Sequence, residues 1–234
     1  GVEADLRKLT FIAASAPERI NCLPTRGLFM RMCDLRRAGG FHPKLLPHYW
    51  SDYEFTMRAR KRGIKLCSSA DIAINLDRAQ TGYHNFEKSD FIGFVRKCFS
   101  KKSILNPLYH TYFVLLVSPL SSILPNVFKV WRDFIAYVVH KIKRQLKIKT
   151  ARFRMANAVR RTHSDLKIIV GSAATKQDGW ISTDYPILDL TDASTFAALF
   201  RPDSVSHFMA EHVFEHMSLE DGAKAASNCF TYLK

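Results

Sequence analysis

Apolar and polar positions along this chain change period several times. From Tyr53 onward, Phe55, Arg58, Ala59 and Arg62 fall at the i, i+3, i+4 and i+7 places of one helical face. Gly63 stands where a glycine ends a helix. Asp52 precedes this helix and has two readings: an N-cap that accepts first-turn N–H groups, or a carboxylate aimed into a cleft. Upstream, residues 1–20 mix charged and small residues and predict a leading helix or loop. Cys22–Arg31 reads as a strand, and Met32–Ala38 as a short helix stopped by Gly39–Gly40. Downstream, Ile64–Cys67 and Ile72–Leu76 read as short strands and Asp77–Asn85 as a loop. Phe86–Ser100, aromatics alternating with cations at helical spacing, reads as a surface helix.

The pattern then becomes strongly apolar. Tyr112–Phe128 contains no charged residue but is broken by Pro119 and Pro125. It is shorter than the roughly 20 apolar residues that a spanning helix needs. Phe134–Arg161 begins apolar and becomes strongly basic. Two readings follow: a helical hairpin packed on the preceding domain with its cations solvated, or a basic amphipathic stretch docked on an anionic membrane surface. Leu166–Val170 is a run of β-branched and aliphatic residues, a buried strand, followed by the small residues Gly171–Ser172–Ala173–Ala174.

Charge sharpens these boundaries. The net charge of +14 divides into +9 over residues 1–102, +10 over 103–167 and −5 over 168–234. Together with the apolar pattern, this predicts three segments: 1–102, a helical basic linker at 103–164, and 165–234. A basic middle attracts phosphates or acidic lipid. No nucleic-acid-binding motif accompanies it, so nucleic acid is not an expected partner. The five cysteines are scattered, with no Cys-x-x-Cys, which favours a reducing compartment and neither a zinc site nor a disulfide framework. No charged n-region followed by an apolar core opens the chain, so no signal peptide is expected.

The candidate chemistry of the first segment lies in Leu45–Gly63, where Asp52 and Glu54 stand among Tyr49, Trp50, Tyr53 and Phe55. The order Gly39–Gly40–Phe41, then Asp52, Glu54, Phe55 and Arg58, resembles the acceptor side of family 2 glycosyltransferases, inverting enzymes of the GT-A fold. PHY…DYEF…RA…G is similar to rhamnosyltransferase-like enzymes of surface-polysaccharide synthesis. The resemblance implies Asp52 as the base that activates an acceptor hydroxyl, with Glu54 and Arg58 orienting it or touching the acceptor. His48, Tyr49, Trp50 and His84 are the implied acceptor-site residues. Such enzymes hold the nucleotide-sugar diphosphate through a divalent metal on an Asp-x-Asp motif. None precedes Asp52, so the metal and the donor-binding half are expected upstream of this sequence.

The third segment carries a second resemblance. Its strand, small-residue loop and second strand ending in an acid match the opening of a Rossmann-like sheet. The words GWISTD, LDLTD and AEHVFEH resemble predicted S-adenosylmethionine-dependent methyltransferases. By that resemblance Gly171 faces the methionine part of S-adenosylmethionine, Asp184 the ribose and Asp189 the adenine, with Glu211 and His212 also at the cofactor. Glu211, His212, Glu215 and His216 share one helix face if the segment is helical. The order is Glu-His-x-x-Glu-His rather than His-Glu-x-x-His, and no metal is assigned. Lys234 falls where the middle of such a domain is expected.

The expected architecture is therefore α/β: a partial GT-A domain, a helical basic linker and a partial Rossmann-like methyltransferase domain. The expected function is glycosyl transfer from a nucleotide sugar to a glycan or lipid-linked glycan, fused to a methyltransferase-like domain. The expected place is the cytoplasm, peripheral on the inner face of the cell membrane. The alternative is a non-catalytic membrane-docking or scaffold protein that keeps both folds without activity.

Overall fold

A computed structural model describes residues 1–69, 91–162, 165–172 and 175–234 of the chain. Mixed α and β elements divide into two compact units, Gly1–Val139 and His140–Lys234. The division falls within the segment read as a linker, which is helical but forms no unit of its own.

In the first unit, residues 1–20 form neither a helix nor a loop alone. Strands β1 (Val2–Asp5) and β2 (Thr10–Ala13) pair antiparallel, with Val2 opposite Ala13 and Asp5 opposite Thr10. The turn between them is closed by Asp5, whose Oδ1 accepts from Arg7 N at 2.9 Å. The strand expected at Cys22–Arg31 does not form. Val2 bridges Cys22, and the Asn21 side-chain amide exchanges two 2.8 Å hydrogen bonds with the Ala4 backbone. These contacts satisfy the β1 edge with one bridge and one amide, and Pro24 has no N–H to extend a ladder. Ile64–Cys67 also forms no strand, although its buried Ile64 and Leu66 alternate with exposed Lys65 and Cys67. The expected strand Ile72–Leu76 and loop Asp77–Asn85 lie outside the described residues.

Helix α1 (Met32–Ala38) packs on α2 (Ser51–Lys61) through Ala38, Phe55, Ala59 and Ile64. Helix α2 ends as its sequence predicts. Gly63 has φ +79°, its N–H donates to Arg60 O, and Ile64 N–H donates to Ala59 O, the paired bonds of a Schellman end. Helix α3 (Phe91–Cys98) falls within the predicted surface helix but buries Phe94 and Cys98. Helix α4 (Pro107–Val117) starts at Asn106, whose side chain accepts from Leu108 N and Tyr109 N. Ser118 is extended before Pro119, so the apolar run breaks there and α5 (Leu120–Arg161) begins, whereas the break expected at Pro125 does not occur because that proline lies inside α5. Trp131 Nε1 donates to Thr111 Oγ1 at 3.2 Å, tying α5 back to α4. Phe113, Val114, Val117 and Val130 pack on Ala4, Leu9, Leu46 and Met57. Phe134–Arg161 continues α5 and is no hairpin by itself; it is α4 and the start of α5, ahead of it, that pack on the first unit. Among the described residues, no helix is long and apolar enough to cross a membrane.

In the second unit, β3 (Lys167–Val170), β4 (Trp180–Thr183) and β5 (His207–Ala210) form a parallel sheet in the order β4-β3-β5. The Leu166–Val170 prediction locates the central strand, and Ile168, Ile169 and Val170 are all buried. Helix α6 (Ala193–Ala197) is capped by Asp192, and α7 (Leu219–Tyr232) by Ser218. Their Phe196, Ala225 and Tyr232 join Leu166, Ile168, Val170, Leu188 and Met155 in one core. Arg152 on α5 donates to the carbonyls of Pro186 and Ile187 at 2.7 and 3.0 Å.

Candidate functional site

The first candidate site is built around the start of α2. Trp50 precedes the helix in a left-handed conformation, φ +70°, a backbone state that a bulky residue adopts only when its surroundings hold it there. Its ring stacks on His110 at 4.2 Å and lies 5.0 Å from Phe113 and 5.6 Å from Phe11. Phe11 in turn stacks on Tyr53 at 5.5 Å. Trp50, not Asp52, holds the N-cap position, so the capping reading of Asp52 is corrected in position, while its carboxylate does accept a first-turn N–H. Asp52 lies inside the first turn, where its charge is favoured by the helix dipole, and its Oδ1 accepts from Tyr53 N at 2.9 Å.

Asp52 lines a groove of about 560 Å³ with Phe11, Arg26, Tyr49, Trp50 and Tyr53. Burial, and secondarily the Asp52 charge, push the neighbouring Cys22 thiol up to about 12, which keeps it protonated and inert. The Tyr53 phenol is also raised, first by burial. An aromatic groove with a carboxylate in its wall can stack flat apolar ring faces and accept a hydroxyl proton.

Glu54 and Arg58 lie elsewhere. Two residues along a helix turn a side chain by about 200°, so Glu54 points away from Asp52. It is buried and accepts from Arg58 Nε and Nη2 at 2.7 and 3.0 Å. Arg58 also donates to the carbonyls of Ala38 and Gly40. The pair clamps α2 to the end of α1 and the glycine turn. His48 is exposed, leans on Tyr49 with rings 4.7 Å apart, and is not among the residues lining the groove. His84 lies outside the described residues.

The second candidate site is the carboxyl edge of the parallel sheet. Val170 is the register partner of both Thr183 and Ala210. Gly171, Asp184 and Glu211 each come one residue later, so the three lie side by side where the strands end. The first strand in sequence is central, with the second and third on opposite sides, which makes this edge a topological switch point. Ser172 Oγ donates to Asp184 Oδ2 at 3.2 Å. Gly171 has φ +67°, and a Cβ there would meet Val213 Cγ2 at 2.3 Å. The space above Gly171 is thus held by Val213. Asp189 lies off this edge in the turn before α6, where its Oδ1 accepts from Thr191 N and Oγ1.

The shared helix face expected for the two Glu-His pairs is corrected. Only Phe214–His216 is helical, as one 3₁₀ turn, and His212 is left-handed at φ +55°. Glu211, His212, Glu215 and His216 are all exposed, and His212 Nδ1 lies 3.2 Å from Glu215 Oε1. Among the described residues, no group of three or more His, Cys, Asp or Glu is placed to hold a metal.

The structure adds residues that the sequence reading left out. Phe11 and Arg26 reach the groove from distant segments and carry no sequence signal. Tyr53 stood beside the acids in the sequence. Ser172 was visible as part of the small-residue loop, but its bond to Asp184 depends on strand register. Comparisons with protein-family models, with curated proteins and with solved structures found no match to this chain.

Proposed function

We propose that the groove of the first unit seats the glycan acceptor of an inverting glycosyl transfer from a nucleotide sugar. The supporting observation is the Asp52 carboxylate in an aromatic wall formed by Phe11, Tyr49, Trp50 and Tyr53. Sugar rings present apolar C–H faces that stack on such walls. The acceptor oxygen attacks the anomeric carbon, and its proton passes to Asp52. The bond from that carbon to the nucleoside diphosphate breaks, and the diphosphate leaves with the electron pair. Glu54 and Arg58 act at one remove: by clamping α2 to the Gly39–Gly40 turn they fix where Asp52 stands. The order of the glycine turn, Asp52, Glu54 and Arg58 supports a GT-A-like reading of this unit. No cluster among the described residues fits the divalent metal that such enzymes use for the donor. The part of Asp52 is proton removal.

The test pairs transfer with binding. Labelled nucleotide hexoses and a panel of oligosaccharides are incubated with the chain and with Asp52→Asn. Transfer is expected to fall on the order of a hundredfold or more in the variant, while acceptor binding, read by tryptophan fluorescence, changes by less than about twofold. No acceptor binding at all, or transfer that Asp52→Asn leaves unchanged, would overturn the proposal.

A second reading applies to the second unit, on a separate observation: Gly171, Asp184 and Glu211 align at the carboxyl edge of three parallel strands, at the switch point where the central strand is flanked by the other two. We infer that this edge binds S-adenosylmethionine, which when bound supplies an electrophilic methyl group. Asp184 would accept from the ribose hydroxyls, with Ser172 holding the carboxylate in place. Glu211 flanks the same edge. Calorimetric titration of S-adenosylmethionine is expected to give saturable binding that Asp184→Ala abolishes. A folded chain that takes up none would overturn this reading.

A further inference from the structure

We infer that the first unit docks on an anionic lipid surface through the outer face of the first five turns of α5. The carrying observation is a stripe of exposed apolar side chains on one side of a helix whose opposite side is already packed. Ser122, Asn126 and Val130 are buried at i, i+4 and i+8 and face the unit. Leu120, Leu124, Phe128, Ile135 and Val139 fall on the other side, within an arc of about 100° and over a length of about 29 Å. Leu120, Leu124 and Phe128 are 89%, 81% and 69% exposed. No charged residue occurs from Ser103 to Phe128. Helix α4, tied to α5 by the Trp131–Thr111 bond, exposes its own stripe of Leu108, Tyr112, Leu115 and Leu116. Exposed apolar faces of this extent mark an interaction surface.

Charge selects the occupant. Between Phe91 and Val139 six basic residues, among them Lys101 and Arg132, stand against the single acid Asp133. A second copy of this face would bring the same excess of cations and repel it. An anionic bilayer offers opposite charge and an apolar layer at the depth that such a helix face enters. The helix lies in the interface plane. The docking face thus begins in the uncharged turns ahead of the basic Phe134–Arg161 stretch and ends within the first residues of that stretch.

The test is flotation with vesicles of phosphatidylcholine alone and of phosphatidylcholine with about one quarter phosphatidylglycerol. The unaltered chain is expected to float with the anionic vesicles at least about tenfold better than with the neutral ones, with the difference shrinking as salt rises. The double variant Leu124→Glu with Phe128→Glu is expected to lose on the order of a hundredfold in partition, since two apolar anchors are removed. Leu120→Glu is the second, milder variant. Leu219→Glu, at a residue 94% exposed in the other unit, is expected to float like the unaltered chain. Circular dichroism melts check that every variant folds. Equal flotation of the double variant, an unaltered chain that binds neither vesicle, or a dimer in ultracentrifugation that the double variant dissolves would each overturn the inference. All three readouts are independent of glycosyl transfer.

Discussion

Glu54 and Glu215 each stand within one helical turn of a basic partner, and the chain uses them in opposite ways. The Glu54 side chain is 4% exposed and held by Nε and Nη2 of Arg58, while the Glu215 side chain is 59% exposed beside His212. In sequence both motifs resemble working sites. In the fold one is a structural clamp and the other a solvated pair. An acid and a base at helical spacing acquire a role only from what surrounds them. Burial makes an ion pair obligatory, because an unpaired charge inside costs far more than the pair contributes. Exposure leaves the pair nearly idle, because water and salt screen it.

The largest test of this contrast is Arg58→Ala. It strands the Glu54 carboxylate in the core and frees the carbonyls of Ala38 and Gly40, so urea denaturation is expected to register a loss of about 3–5 kcal/mol. A loss below about 1 kcal/mol would place the pair with surface bridges.

The next test concerns a buried base in the same unit. Burial, and then the charge of Lys129, lower His110 from 6.5 to about 4, with Asp133 opposing. The unfolded chain therefore takes up this proton near pH 6.5 and the folded chain only near pH 4. Stability from this residue is full above pH 6.5 and falls as pH drops toward 4, by about 3 kcal/mol. His110→Phe keeps an aromatic ring against Trp50 and is expected to flatten that part of the stability–pH curve, measured by denaturation at several pH values.

Gly171→Ala is expected to cost about 2 kcal/mol, through the left-handed backbone and the collision with Val213. Val213→Ala in the same chain is expected to relieve the collision but not the backbone strain, so thermal melts should recover only part of the loss. Glu215→Ala is expected to change stability by less than about 0.5 kcal/mol. A larger change there would show that the exposed pair carries structure after all.

Much of the fold was legible in the sequence wherever the signal is local. The α2 ending at Gly63, the stop of α1 at Gly39, the β3 strand and the break at Pro119 all follow from residues acting on their own neighbourhood. The misreadings are long-range. The β1–β2 hairpin was hidden because short strands of mixed residues need a partner to be recognised. Cys22–Arg31 looked like a strand, yet Asn21 and a single bridge already satisfy the edge it would have joined.

For the candidate sites the same division holds. The sequence alone determined which acids stand at the start of the key helix and beyond the strand ends, because helix and strand positions follow from local period. Only the tertiary structure decided that Asp52 shares a groove with Phe11 and Arg26 while Glu54 turns inward. It alone aligned Gly171, Asp184 and Glu211, since register between strands far apart in sequence is set by the core they bury together. It alone left Leu120, Leu124 and Phe128 facing outward. Which side of an apolar helix is buried depends on the partners it meets, and those lie more than a hundred residues away, where Asn126 reaches the Leu6 carbonyl.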